Sequence, residues 1–335
     1  MFDKYLYALG RGIRGAKKAL EETGKAPDPA RDAKDVTPQD VDAQPAPPPV
    51  ARHPMDVVDA VLARAPLVLG ERPLVMGIVN VTPDSFSDGG RYFDAQAAIA
   101  HAIALVRAGA DIIDIGGEST RPNATPVDTD EELARVVPVI RGLAAQVSQA
   151  ISIDTMKAKV AEAAIAAGAN MLNDVWGFQR DGEIARVAAT HGVHCILMHN
   201  REHDDASADT FEEVRAFLSR SIDIALAAGV AREKIIVDPG IGFGKNAAQG
   251  FGLVRRLGEL KAALGFPMLL GVSRKRLIGA ATGRKEPDQR MAGSLAAGLY
   301  GAMMGADIVR VHDVAAHADA FRVLAAIQGK ATGIV

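Results

Sequence analysis

The sequence predicts an α/β protein, a (β/α)8 TIM barrel behind a Pro-rich N-terminal extension. Two observations predict the barrel. Eight short apolar runs recur from about residue 55 onward, separated by longer stretches with the 3.6-residue period of helices. Those runs are almost continuously apolar, as strands covered on both faces must be. A third observation sets the extension apart: eight of the 17 prolines fall between Pro27 and Pro54. Residues 55–335 are also close to the length, roughly 250 residues, typical of such a barrel. A doubly wound open sheet is the rival. Eight regular units without a dinucleotide-binding fingerprint favour the barrel.

Taken in order, residues 1–54 read as a disordered linker extension. Its Pro, Asp, Ala and Gln bury too little apolar surface to offset their ordering entropy. Near its start Leu6, Leu9, Ile13, Ala16 and Leu20 recur at helical spacing among Arg11, Arg14, Lys17 and Lys18. That pattern is open to a short basic helix for a membrane surface or partner, although a frayed helix without a role outweighs it. "GRGIRG" here is a chance GxGxxG match, because no strand precedes it.

The strands follow: "LVMGIVNV" (74–81), "DIIDIG" (111–116), "AISIDT" (150–155), "NMLNDV" (170–175), "VHCILMH" (193–199), "KIIVDPG" (234–240), "PMLLGVS" (267–273) and "DIVRVHD" (307–313). Between the second and third, Leu133, Val136, Val137, Ile140 and Leu143 make the apolar stripe of a helix over 131–143. Pro138 is expected to bend or restart it. Gly109, Gly168, Gly192 and Gly305 each stand just before a strand, where a helix C-cap is expected. The last helix is expected over about 314–329.

Composition narrows the function. A net charge of −3 argues against nucleic acid as the main partner. No apolar stretch reaches the roughly 18 residues of a membrane span, and no secretory leader is evident. The reading is a soluble, cytoplasmic protein. The single cysteine, Cys195, lies in an apolar strand and reads as a small buried hydrophobe.

Active sites of this fold form at the C-terminal ends of the strands. Those ends are polar throughout: Asn80; Asp114 with "GGESTR" (116–121); Asp154; Asn173 and Asp174; His199 and Asn200; Asp238; Ser273, Arg274 and Lys275; Arg310, His312 and Asp313. Asp114 or Asp174 alone could be a hydrogen-bonded barrel residue. The set together would be costly to desolvate unless a ligand pairs it. Arg310 and His312, two apart on the last strand, point the same way and form a cationic pair where phosphates bind in this fold. "DPGIGFGK" (238–245) lacks P-loop spacing, "GVSRK" is no nucleophile elbow, and "HNREH" is not a zinc motif. The implied ligand is a flat heterocycle with amino and oxo edges and a phosphate tail.

The motifs "NVTPDSFSDGG", "GGESTRP", "SIDT", "NDV", "DPGIGFGK", "GVSRK" and "RVHDV", in this order over about 73–330, resemble dihydropteroate synthase. The resemblance implies a transferase that condenses 6-hydroxymethyl-7,8-dihydropterin diphosphate with p-aminobenzoate, releasing pyrophosphate, and that sulfonamides inhibit. It implies that Asp154, Asn173, Asp238, Lys275 and Arg310 hold the pterin. Asn80, Arg310 and His312 would hold the diphosphate, with Mg²⁺ at Asn80. Thr120, Arg121, Pro122, Phe243, Ser273 and Lys275 would border the p-aminobenzoate. Asp84, Asp88, Asp154 and Lys275 would be catalytic, the first two on a long loop that reads as a lid over the reacting carbon. A homodimer is expected. Two other readings share the barrel: an inactive paralogue with a binding or structural role, and a pterin-binding methyltransferase domain. The intact "GGESTRP" and first-loop motifs favour the synthase.

Overall fold

The structure, a computed structural model, describes residues 63–70, 72–82, 90–119, 125–203 and 209–330. The extension at 1–54, and the basic helix considered within it, lie outside them. The eight expected strands form: β1 (Leu74–Asn80), β2 (Ile112–Gly116), β3 (Ala150–Asp154), β4 (Met171–Asp174), β5 (His194–Met198), β6 (Ile235–Asp238), β7 (Leu269–Leu270) and β8 (Ile308–Val311). They make one parallel sheet in the order β6-β5-β4-β3-β2-β1-β8-β7. A single parallel bridge between Val237 and Met268 joins its two ends into a barrel.

The helices are α1 (Gly90–Arg107), α2 (Thr129–Ala144), α3 (Ala158–Ala166), α4 (Glu183–His191), α5 (Thr210–Ala227), α6 (Ala247–Arg255), α7 (Leu257–Leu264), α8 (Arg276–Thr282), α9 (Met291–Met303) and α10 (Val314–Ile327). None of the described helices is long and apolar enough to cross a membrane. Asp128 caps α2, its carboxylate accepting the Glu131 amide at 2.8 Å. Pro138 does not restart this helix, which runs unbroken from Thr129 to Ala144. Pro138 and Ala134 are both exposed, so water can take the Ala134 carbonyl that lacks an amide partner. The four glycines expected to end helices all have positive φ: 104° at Gly109, 115° at Gly168, 60° at Gly192 and 99° at Gly305.

Strand alternation splits the apolar residues into two bodies. Val75, Ile113, Ile151, Leu172, Leu197, Val237 and Val309 face outward and pack with the helices. Cys195 belongs to this layer, and burial pushes its thiol up to about 12, which leaves it inert. Met76, Ile112, Ala150, Met171, Ile196, Ile236, Leu269 and Ile308 face inward and fill the lower barrel. Leu67 and Leu69 pack against these inner residues from below. Arg64 fixes that segment, donating to the carbonyls of Val147 at 2.5 Å and Gly168 at 3.1 Å.

Candidate active site

On four strands the inward face becomes polar two residues beyond its apolar position. Ile112 is followed by Asp114, Met171 by Asn173, Ile236 by Asp238 and Ile308 by Arg310. Asp114 is fully buried. Its Oδ2 accepts from Arg310 Nε at 2.6 Å and from Asn173 Nδ2 at 3.1 Å. The other Arg310 edge donates from Nη2 to Asp154 Oδ2 at 2.9 Å. Asp114 Oδ1 and Ser152 Oγ are buried without a hydrogen-bond partner, an incomplete polar floor of the kind a ligand can satisfy.

On the opposite side of the mouth, Asp238 accepts the Gly240 amide on Oδ1 at 2.7 Å. A Cβ placed on Gly271 would lie 3.8 Å from both Asp238 Oδ2 and Lys275 Nζ. A glycine at this inward position therefore leaves space between a carboxylate and an ammonium. Lys275 donates to the Ile241 carbonyl and lies 4.5 Å from the centre of the Phe243 ring.

Burial dominates the titration of these groups. It raises Asp154 to about 7, against the opposing pull of Arg310, with Asp114 adding to the rise. Asp238 is also raised by burial, with Lys275 opposing. Lys275 is lowered to about 8 by burial, with Asp238 opposing. The mouth thus holds a carboxyl and an ammonium that both change charge near neutral pH.

Ser273 is buried and its Oγ accepts the His312 amide at 3.1 Å, with His312 Nδ1 at 3.0 Å. Asn80 ends β1 with an exposed side chain. Arg310 meets carboxylates through Nε and Nη2, and His312 Nδ1 faces Ser273. Asp84, Asp88, Thr120, Arg121 and Pro122 lie outside the described residues. Asp174, a member of the polar strand-end set, shapes a turn instead. Its two oxygens accept the amides of Trp176 at 2.8 Å and Phe178 at 2.7 Å.

Asp114 is the residue that the sequence-based set of ligands lacks. Its signal was its place two residues beyond Ile112 on a buried strand.

The family pattern of pterin binding enzymes matches residues 76–312. The chain belongs to that family. The dihydropteroate synthase of Clostridium beijerinckii is 49% identical over 247 residues, which are 73% of this chain and 91% of that protein. The Xanthomonas albilineans dihydropteroate synthase bound to 4-aminobenzoic acid superposes with a TM-score of 0.74 at 49% identity, covering 77% of this chain and 93% of that one. The same enzyme in complex with 7,8-dihydropteroate gives 0.71 at 48%, over 77% and 94%. The activity of this pterin-binding chain is that of a dihydropteroate synthase, a transferase of folate biosynthesis. It condenses 6-hydroxymethyl-7,8-dihydropterin diphosphate with p-aminobenzoate. Neither the inactive-paralogue nor the methyltransferase reading gains an observation.

Proposed function

We propose that the upper barrel divides this condensation between two sides. Asp114, Asn173 and Asp238 would take the N–H edge of the pterin, and Lys275 would donate to its oxo or ring-nitrogen edge. The observation that carries this is the inward carboxylate set at Asp114, Asp154 and Asp238 around Arg310, with a buried oxygen still unpaired. Ser273, Lys275 and Phe243, with Thr120, Arg121 and Pro122, would border the aminobenzoate.

The bond between the exocyclic methylene carbon and the diphosphate breaks, and pyrophosphate leaves with the electron pair. The aminobenzoate nitrogen bonds to that carbon and loses one proton. Positive charge building on the carbon would be held by Asp154 with Asp84 and Asp88. Asp154, titrating at about 7, can also hold or release a proton at working pH. Nε and Nη2 of Arg310 face carboxylates, so its Nη1 edge is the part left for the diphosphate, with His312 and Asn80.

Among the described residues no three His, Cys, Asp or Glu side chains gather as a metal cage. Mg²⁺ needs none, since it keeps waters and phosphate oxygens and takes only one or two protein oxygens. The exposed amide oxygen of Asn80 fits that requirement. When bound, Mg²⁺ would neutralise the charge of the leaving diphosphate.

The helix Met291–Met303 carries no charged residue and exposes Met291, Tyr300 and Met303. Tyr300 and Met303, three apart, lie on one exposed face, which supports a second copy of the chain as partner, in a homodimer; the protein would be cytoplasmic.

Pyrophosphate release from pterin diphosphate and p-aminobenzoate with Mg²⁺ tests the reading, using Asp238→Asn as the probe. The amide should weaken the pterin substrate by roughly 10- to 150-fold, the worth of a charge-assisted hydrogen bond, at an unchanged melting temperature. Near-normal pterin kinetics in the folded variant would reduce Asp238 to a turn-former.

A further inference from the structure

The stretch "DPGIGFGK" is held in a way that phosphate-loop spacing does not explain. Every second residue is a glycine with positive φ, 65° at Gly240, 83° at Gly242 and 57° at Gly244. A Cβ on Gly240 would lie 1.9 Å from the His199 carbonyl oxygen. One on Gly244 would lie 2.5 Å from the carbonyl oxygen of Arg201. The loop is therefore pressed against residues 199–201, and only glycine fits at those two contacts.

Its carbonyls point at cations. The Gly244 carbonyl accepts from Arg201 Nε, and Nη1 of the same guanidinium pairs with Glu213 Oε2 at 2.5 Å. The Ile241 carbonyl accepts from Lys275. The carbonyls of Gly240 and Phe243 both accept from Lys245 Nζ, each at 2.9 Å. The third partner of that ammonium is His199 Nδ1 at 2.8 Å. Lys245 is 5% exposed, and its three N–H donors meet three acceptors.

His199 is suited to that place. Burial, helped by Lys245 and Arg201, drives it down to about 2, so the ring is neutral. Its Nε2 lies 3.8 Å from Glu213 Oε1, which favours the proton on Nε2 and leaves Nδ1 to accept from Lys245.

We infer that Lys245, buried beneath the mouth, is a positioning residue that shapes the 239–244 loop and so sets Phe243 and Lys275 for the aminobenzoate. The two carbonyls it binds flank Ile241, whose own carbonyl holds Lys275, and one belongs to Phe243, whose ring faces the same ammonium. Lys245 acts through these two residues. It is spent on protein acceptors and has no donor left for a substrate. Burial keeps it low, at about 7, with Lys275 adding to the depression, so the two ammonium groups sense each other across the loop.

This inference rests on the assignment of Phe243 and Lys275 to the aminobenzoate side, and the test separates the two. Steady-state kinetics are measured for the parent chain, Phe243→Ala, Lys245→Met and the double variant, with each substrate varied and folding followed by melting. Lys245→Met, close in shape and without donors, should raise the KM for p-aminobenzoate on the order of tenfold, with a smaller change for the pterin diphosphate. Phe243→Ala should do the same, and the double variant should be no worse than the more affected single, because both disturb one device. An unchanged aminobenzoate KM in Phe243→Ala alone sinks the assignment of that side. An unchanged KM in folded Lys245→Met, equal rises for both substrates, or additive losses in the double sink the positioning role. Lys245→Gln, which keeps two donors, should fall between parent and Met. If neither Lys245 variant folds, the lysine serves stability alone and the inference is overturned.

Discussion

The lower and upper barrel interiors stand on the same strands, two residues apart, roughly 6.6 Å along each chain. Below, Ile112, Met171, Ile236 and Ile308 close against one another and need nothing else. Above, Asp114, Asn173 and Arg310 bind one another incompletely, Asp238 accepts only a backbone amide, and an oxygen of Asp114 stays orphaned. The lower layer is finished by folding. The upper layer is left for a substrate to finish, and its buried charges lower stability for as long as it stays empty. Specificity for a polar heterocycle follows from that deficit, because a ligand without matching donors and acceptors would leave the same groups unpaired.

The sharpest way to break this contrast is to make the upper layer resemble the lower. Asp114→Ala leaves the Arg310 guanidinium short of a buried partner, and should cost about 3–5 kcal/mol in denaturant unfolding together with activity. Asp114→Leu combined with Arg310→Met should recover most of that stability and stay inactive. A single variant as stable as the parent would mean that the pair contributes nothing to folding. Next in size is the pH profile. The ratio kcat/KM for the pterin substrate should fall by about tenfold per pH unit below the Asp154 limb, as the carboxylate takes a proton. It should fall again on the alkaline side as Lys275 loses one, the limbs lying at about 7 and about 8. Asp154→Asn should abolish the acidic limb while the alkaline limb persists. An acidic limb that survives the substitution belongs to another group. The smallest effect lies below: Ile196→Val should cost about 0.5–1.5 kcal/mol in thermal or denaturant melts with kinetics unchanged. Altered substrate KM in that variant would show that the two layers are mechanically coupled.

Much of this architecture was legible in the residues. Apolar runs and pre-strand glycines fix eight units because both are local consequences of burial and of helix termination. What sequence could not show was phase. A strand covered on both faces carries no alternation, so Asn173 and Asp174 look equivalent as neighbours. One turns into the mouth and the other outward to cap a turn, and only the pairing register decides which. Asp114 was passed over for the same reason, since a lone buried carboxylate has an adequate structural account until Arg310 is seen beside it. The expectation that Pro138 restarts the helix failed for a different reason. A proline is disruptive where its missing donor is buried, and here it lies on the wet side of α2. Lys245 was invisible because its burial comes from the loop folding back over its own lysine, a tertiary event that no spacing rule encodes.

The single bridge between Val237 and Met268 has a mechanical consequence. It makes the β6–β7 junction the barrel's weakest seam, since β7 contributes two residues and β6 meets it at one point. The loop 239–244 hangs from one lip of that seam and Lys275 from the other, and the lysine's bond to the Ile241 carbonyl crosses it. Local opening of a fold begins where the fewest bonds must break together. A molecule lodged between Phe243 and Lys275 would therefore act as a suture, fastening the two lips and slowing the breathing of the whole cylinder from its rim.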